Sequence, residues 1–113
     1  LGVCLGLQAI GEAYGGTLKN LDTVFHGIAT PINIISEDVI FNNCPKSFTV
    51  GRYHSWVINN NQLPADLQIT ATDVQGNIMA LKHKTHDVSG VQFHPESILS
   101  EHGETMIQNW LKA

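Results

Sequence analysis

The chain has 113 residues, 42% hydrophobic and 14% charged, which suits one soluble globular domain and excludes a disordered segment. Six Lys and Arg against ten Asp and Glu leave a net charge of −4 with no basic run, which makes nucleic acid and anionic membrane poor candidates for partners. No apolar stretch approaches the roughly 20 residues of a bilayer-spanning helix, and the opening Leu1-Gly2-Val3 lacks the charged start of a secretory signal.

In chain order, the first element is a strand stub that ends at Val3. Leu7, Ile10 and Tyr14 then recur on one side of a helix over Leu5 to Tyr14, which Gly15-Gly16 should stop with a left-handed cap. From about Thr17 to Val91 the pattern changes to short β-type runs: Thr30–Ile35, Ser47–Gly51, Trp56–Ile58, Leu67–Thr72, Ile78–His83 and Gly90–Phe93. Turn-prone Asn42-Asn43, Asn59-Asn60-Asn61, Gln75-Gly76-Asn77 and His86-Asp87 separate them. A last helix over Glu104–Leu111 carries Met106, Ile107, Trp110 and Leu111 as its docking stripe, with Trp110 as core anchor. Strand, helix, several strands and a final helix predict an α/β fold with a mixed sheet.

Two groups of residues carry chemistry. Gly2-Val3-Cys4-Leu5-Gly6 is the cysteine form of the G-x-S-x-G nucleophile elbow. A nucleophile on so sharp a turn crowds its neighbours together, which favours residues without a Cβ on either side. The turn sets Cys4 at a helix N-terminus, where unpaired N–H groups and the helix dipole favour a thiolate, and the Leu5 N–H can donate to an oxyanion. Alone, the motif is equally a buried cysteine in a glycine-rich turn. The second group is His94-Pro95-Glu96, closing an apolar strand. In extended geometry the imidazole and carboxylate share a face, as a triad requires, while Pro95 keeps His94 out of the α region. Alone, this pattern is more often a surface His–Glu pair closing a strand. Each group ends a strand, where open α/β sheets build their sites.

Taken together, Gly-Val-Cys-Leu-Gly-Leu-Gln-Ala-Ile (2–10) and Gly-Val-Gln-Phe-His-Pro-Glu-Ser (90–97) resemble the two signature blocks of class I, triad-type glutamine amidotransferases. Phe25-His26-Gly27, Arg52-Tyr53-His54-Ser55-Trp56 and Ser100-Glu101-His102-Gly103 resemble the subgroup serving chorismate-using enzymes. The resemblance covers essentially the whole chain, in order. It implies a flavodoxin-like, three-layer α/β fold, a Cys4–His94–Glu96 triad, a γ-glutamyl thioester, and Leu5 as oxyanion donor. It further implies glutamine binding by Gln8, Ser55 and Trp56, no cofactor and no metal. Leu7 departs conservatively from the His or Met frequent at that position. Within the subgroup the resemblance is greatest to the glutaminase component of anthranilate synthase, in tryptophan biosynthesis, with that of aminodeoxychorismate synthase as runner-up. The implied partners are L-glutamine and a chorismate-binding synthase subunit, in the cytoplasm.

Because the chain opens almost on Cys4, residues 1–113 are expected to form the C-terminal part of one amidotransferase domain, truncated at its N-terminus. In the family a glycine-containing loop upstream of the nucleophile supplies a second oxyanion donor. Such a chain is expected to be impaired as a glutaminase, since one such donor is worth ~100- to 1,000-fold in rate, and to self-associate through open sheet edges. Cys4 and Cys44 sit in unlike contexts and predict no disulfide. His54 is expected to orient the Tyr53–Trp56 turn, and His26 either to line a partner interface or to be a plain loop residue. His83 and His86, at H-x-x-H spacing, lack a ligand set for zinc. Competing readings are a non-catalytic interaction module and a cysteine peptidase or γ-glutamyl hydrolase, which the 52–56 block fits poorly.

Overall fold

The computed structural model describes residues 1–112. β1 (Gly2–Val3) turns at Cys4 directly into α1 (Leu5–Ala13). A helix this short is marginal alone, and packing plus a satisfied C-terminus hold it. Leu7 is fully buried, and Ile10 and Tyr14 pack on the same cluster, as their spacing predicts. Gly15 takes φ 98°; its N–H donates to the Glu12 carbonyl at 3.0 Å, and the Gly16 N–H donates to the Gly11 carbonyl at 2.8 Å. These are the paired bonds of a Schellman cap, so the glycine pair ends the helix as expected.

The remaining elements are β2 (Leu18–Asn20), β3 (Ile28–Ile34), β4 (Ser47–Arg52), β5 (Trp56–Ile58), β6 (Leu67–Thr72), β7 (Ile78–His83), β8 (Ser89–Val91) and α2 (Gly103–Lys112). Six strands form one sheet in the order β1-β8-β7-β6-β3-β4, and β2 pairs with β5 in a separate antiparallel ribbon. Only β1 and β8 run parallel, in register Gly2↔Gly90 and Val3↔Val91; the other neighbours are antiparallel. The sheet is therefore mixed and the class α/β, as expected. Three strands have the anticipated bounds. β2 is not legible as a run, because three residues with a central Lys19 show no alternation and become a strand only by pairing with β5.

The core has two clusters. Ile32, Phe48, Val50, Met79, Phe93 and Met106 belong to the larger, and Leu7, Ile58, Leu67, Ile78 and Leu81 form the smaller, so each helix closes its own cluster. The expected stripe of α2 needs correction. Met106 is fully buried, whereas Trp110 is 37% exposed and Leu111 more so. The helix is held at this end by a polar contact instead: Asn109 Nδ2 donates to the carbonyls of Ile40 and Asn42 at 2.9 and 2.7 Å. Both cysteines are free. No helix among the described residues is long and apolar enough to cross a membrane.

Candidate active site

Cys4 sits at φ 57° and ψ −102°, a region that a non-glycine residue occupies only under strain. Two backbone bonds hold it there. Its N–H donates to the Val91 carbonyl at 2.8 Å, and its carbonyl accepts from the Gln8 N–H at 3.2 Å. Crowding at the elbow is real at Gly2, where a Cβ would lie 2.6 Å from the Gly6 carbonyl group. At Gly6 the expectation fails, since a Cβ there would meet nothing within 4 Å. What the turn needs from residue 6 is its backbone position.

His94 reaches the site through a loop docked on β4. Its N–H donates to the Gly51 carbonyl at 3.0 Å, while Ser100 Oγ donates to the His94 carbonyl at 2.6 Å and accepts from the Gly51 N–H at 2.9 Å. The start of α2 presses on the same loop. A Cβ at Gly103 would fall 1.8 Å from the Pro95 carbonyl oxygen, so only glycine fits. His94 Nδ1 and Glu96 Oε2 are 2.8 Å apart, and Tyr53 stands edge-on to the imidazole with ring centroids at 5.1 Å. Tyr53 is itself tied to Ser97 by a 2.9 Å hydroxyl–hydroxyl bond. The Glu96 side chain is 61% exposed, so its pairing with His94 contributes little to the stability of the fold.

Cys4, Leu5, Gln8, Ser55, Trp56 and His94 all line one cavity of about 460 Å³, with Val3, Tyr53 and His54 completing its wall; Glu96 stands behind His94. Every residue that the sequence singles out for catalysis or substrate thus converges on this place. One contact is absent and one detail differs from expectation. The Cys4 sulfur makes no hydrogen bond to His94 among the described residues; it lies 3.9 Å from the Tyr53 carbonyl oxygen and 3.7 Å from Gln92 Nε2. And burial pushes the Cys4 thiol above its ordinary range, with the Glu96 charge acting the same way, while the Leu5 N–H and the Gln92 amide pull down. At this elbow, desolvation outweighs the helix N-terminus in the unliganded protein. Gln8 Nε2 donates to the Trp56 carbonyl at 2.9 Å and to Gln92 Oε1 at 3.3 Å, leaving its own oxygen without a partner among the described residues. The Ser55 carbonyl accepts from the Leu21 N–H at 2.7 Å, and Trp56 is half-exposed at the cavity mouth.

Residues 1–113 match the family model for class-I glutamine amidotransferase. The chain belongs to that family. It is 43% identical to anthranilate synthase component 2 of Pseudomonas putida over 99% of its length, and 45% identical to aminodeoxychorismate synthase component 2 of Escherichia coli over 98%. It spans 59% of the length of each of these relatives. A solved structure from Thermoplasma acidophilum, described as a GMP synthase subunit, superposes with a TM-score of 0.89 at 27% identity, covering 98% of this chain and 54% of that one. A glutamine amidotransferase from Thermotoga maritima shares the fold, with a TM-score of 0.71 at 17% identity over 98% of this chain and 44% of that one.

In this class-I amidotransferase chain a buried polar network, which sequence reasoning found only in part, supports the cavity. Asp73 holds Arg52 Nη1 at 3.1 Å, Arg52 Nε donates to His54 Nε2 at 3.0 Å, and His54 Nδ1 lies 3.1 Å from the Trp56 carbonyl oxygen. An arginine can only donate, so His54 Nε2 accepts and Nδ1 carries the proton. His54 therefore orients the 53–56 turn, as expected, and does so neutral: burial and the neighbouring Arg52 push its pKa down to about 4. Arg52 also stacks 3.6 Å above the Phe25 ring. The signal for Arg52 lay in the 52–56 block; Asp73 carried none, being one of several turn residues. His83 turns Nδ1 to the Thr85 and His86 N–H groups at 3.1 and 2.9 Å, a backbone role. A larger cavity of about 640 Å³, lined by Asp38, Cys44, Lys46 and Lys82 among others, contains none of the catalytic or substrate-binding candidates.

Proposed function

We propose that this chain carries the glutaminase centre of an amidotransferase serving a chorismate-using synthase of the anthranilate synthase type. Cys4 Sγ attacks the side-chain amide carbon of L-glutamine, with its proton passing to His94. The Leu5 N–H stabilises the oxyanion. His94 returns the proton to nitrogen as the C–N bond breaks, so ammonia leaves and a γ-glutamyl thioester remains. Water, deprotonated by His94, then attacks the thioester; the C–S bond breaks and glutamate departs. Glu96 holds the imidazole tautomer throughout. The free Gln8 oxygen and the Ser55–Trp56 segment receive the substrate's amino-acid head. Ammonia passes to the chorismate-binding partner.

The single observation that carries this reading is the strained Cys4 elbow sharing one cavity with an imidazole already paired to a carboxylate. Ammonia release from glutamine, measured with and without a chorismate-binding partner, tests it. Release that Cys4→Ser abolishes is expected, at the reduced rate of a chain with one oxyanion donor; release unaffected by Cys4→Ser overturns it. Because an aminodeoxychorismate synthase component is as similar as an anthranilate synthase one, that synthase is the second reading. The synthase that the chain supports with glutamine as nitrogen source decides between them.

A further inference from the structure

The proposed glutaminase mechanism leaves unused a buried polar residue that faces the nucleophile. Gln92 is fully buried, follows β8, and points its amide nitrogen at the Cys4 sulfur from 3.7 Å. Which end of a glutamine amide faces a neighbour is fixed only by its hydrogen-bond network, and here the network has one polarity. Asp73 only accepts, so Arg52 donates to it and to His54 Nε2; the remaining His54 proton lies on Nδ1 and goes to the Trp56 carbonyl. That carbonyl only accepts, so Gln8 must present its nitrogen to it, and the second Gln8 hydrogen goes to Gln92 Oε1. Gln92 is left with its N–H groups toward the sulfur.

We propose that Gln92 is a further catalytic residue: its side-chain amide donates to the Cys4 thiolate and makes ionisation of a buried thiol feasible, with Gln8 and His54 as positioning residues that fix its orientation. The inference rests on Cys4 being the nucleophile. Its physical reason is that a thiolate in a pocket that desolvates it needs donors, and besides the elbow's own Leu5 N–H the described residues offer only this one. The contact is made before substrate arrives, whereas no bond to His94 is. Gln92 therefore prepares the nucleophile and His94 serves the proton transfers.

The test reads the sulfur directly and needs no turnover. In a Cys44→Ser background, thiolate absorbance near 240 nm is titrated for the protein and for Gln92→Met, which keeps length and apolar fit but donates nothing. The expected result is an ionisation constant lowered at least about tenfold in Gln92→Met, the smallest worth of a hydrogen bond to a charged group. Gln8→Met is expected to give a smaller shift in the same direction, since it only frees the Gln92 amide to turn. An unchanged Cys4 titration in a folded Gln92→Met overturns the proposal. In case that variant does not fold, the side-chain amide resonance of Gln92 is followed in the unmutated protein. It is expected to move with the Cys4 titration, and a resonance indifferent to it overturns the proposal equally. Loss of glutaminase activity in Cys4→Ser bears on the function, not on Gln92, so the two can fail separately.

Discussion

At the scale of single residues, the proposed mechanism separates groups that react from groups that hold them. Glu96 is solvent-facing and, among the described residues, its carboxylate hydrogen-bonds to His94 alone, so Glu96→Gln is expected to lower kcat about 100-fold, the low end for general acid–base assistance, with KM little changed. Steady-state glutamine hydrolysis checks this, and a matching rise in KM would count against a purely orienting role. His54 makes a different statement, about pH. Its folded pKa lies near 4 against an ordinary 6.5, so between those values the unfolded chain binds a proton that the folded chain refuses. Stability contributed by neutral His54 is thus complete above about pH 6.5 and is lost as pH falls toward 4, up to about 3 kcal/mol for a shift of this size. Urea denaturation at pH 4.5 and 7 should show the loss, and His54→Gln, which does not titrate, should show a shallower one. Equal slopes in both proteins would mean that His54 is not the group responsible.

At the scale of elements, two glycines make opposite predictions. Gly103→Ala forces the start of α2 away from the Pro95 carbonyl, and overpacking of this kind costs about 1–3 kcal/mol. Because Pro95 lies between His94 and Glu96, activity should fall more than stability does. Gly6→Ala meets open space inside α1 and should instead stabilise by roughly 0.5–1 kcal/mol, the ordinary helical preference for alanine. Thermal melts and glutaminase rates on the two variants decide both points. The contrast also shows what a sequence can and cannot tell. The spacing of Leu7, Ile10 and Tyr14 and the alternation in Ile78–His83 are local, and the elements they predict are present. The position of Cys4 at an elbow and of His94 beside Glu96 is local too. Other features depend on residues far away in the chain. They are β2, which needs β5; the burial of Met106 in place of Trp110; the redundancy of a glycine at position 6; and the sulfur's preference for Gln92 over His94.

At the scale of the whole molecule, the mouth of the cavity is rimmed by apolar side chains out of keeping with a solvent surface. Leu5, Trp56 and Tyr53, which line the cavity, are substantially exposed, and elsewhere on the surface Ile98, in the loop after Glu96, is completely so. The two-residue β1 is an outermost strand whose free side has no partner among the described residues. Open edges and apolar patches recruit other chains. The 113-residue chain is therefore expected to dimerise as its concentration rises through the micromolar range. Sedimentation velocity over that range checks this, and a monomer throughout would remove edge pairing from the account.

The parallel pairing of Gly2 and Val3 with Gly90 and Val91 has a consequence for how such a chain is made. A ribosome delivers Cys4 before His94 and Glu96, and the strand that clamps the elbow comes only just before the base. An unfinished chain holds a cysteine on an unclamped turn with neither base nor donor beside it. Closing that long loop is slow beside local helix formation. On the proposed mechanism, glutamine meets no complete triad until residues 94 to 96 have been made. The contacts that complete the site, such as that of Gln92 with Cys4, are among those with the longest separation in sequence.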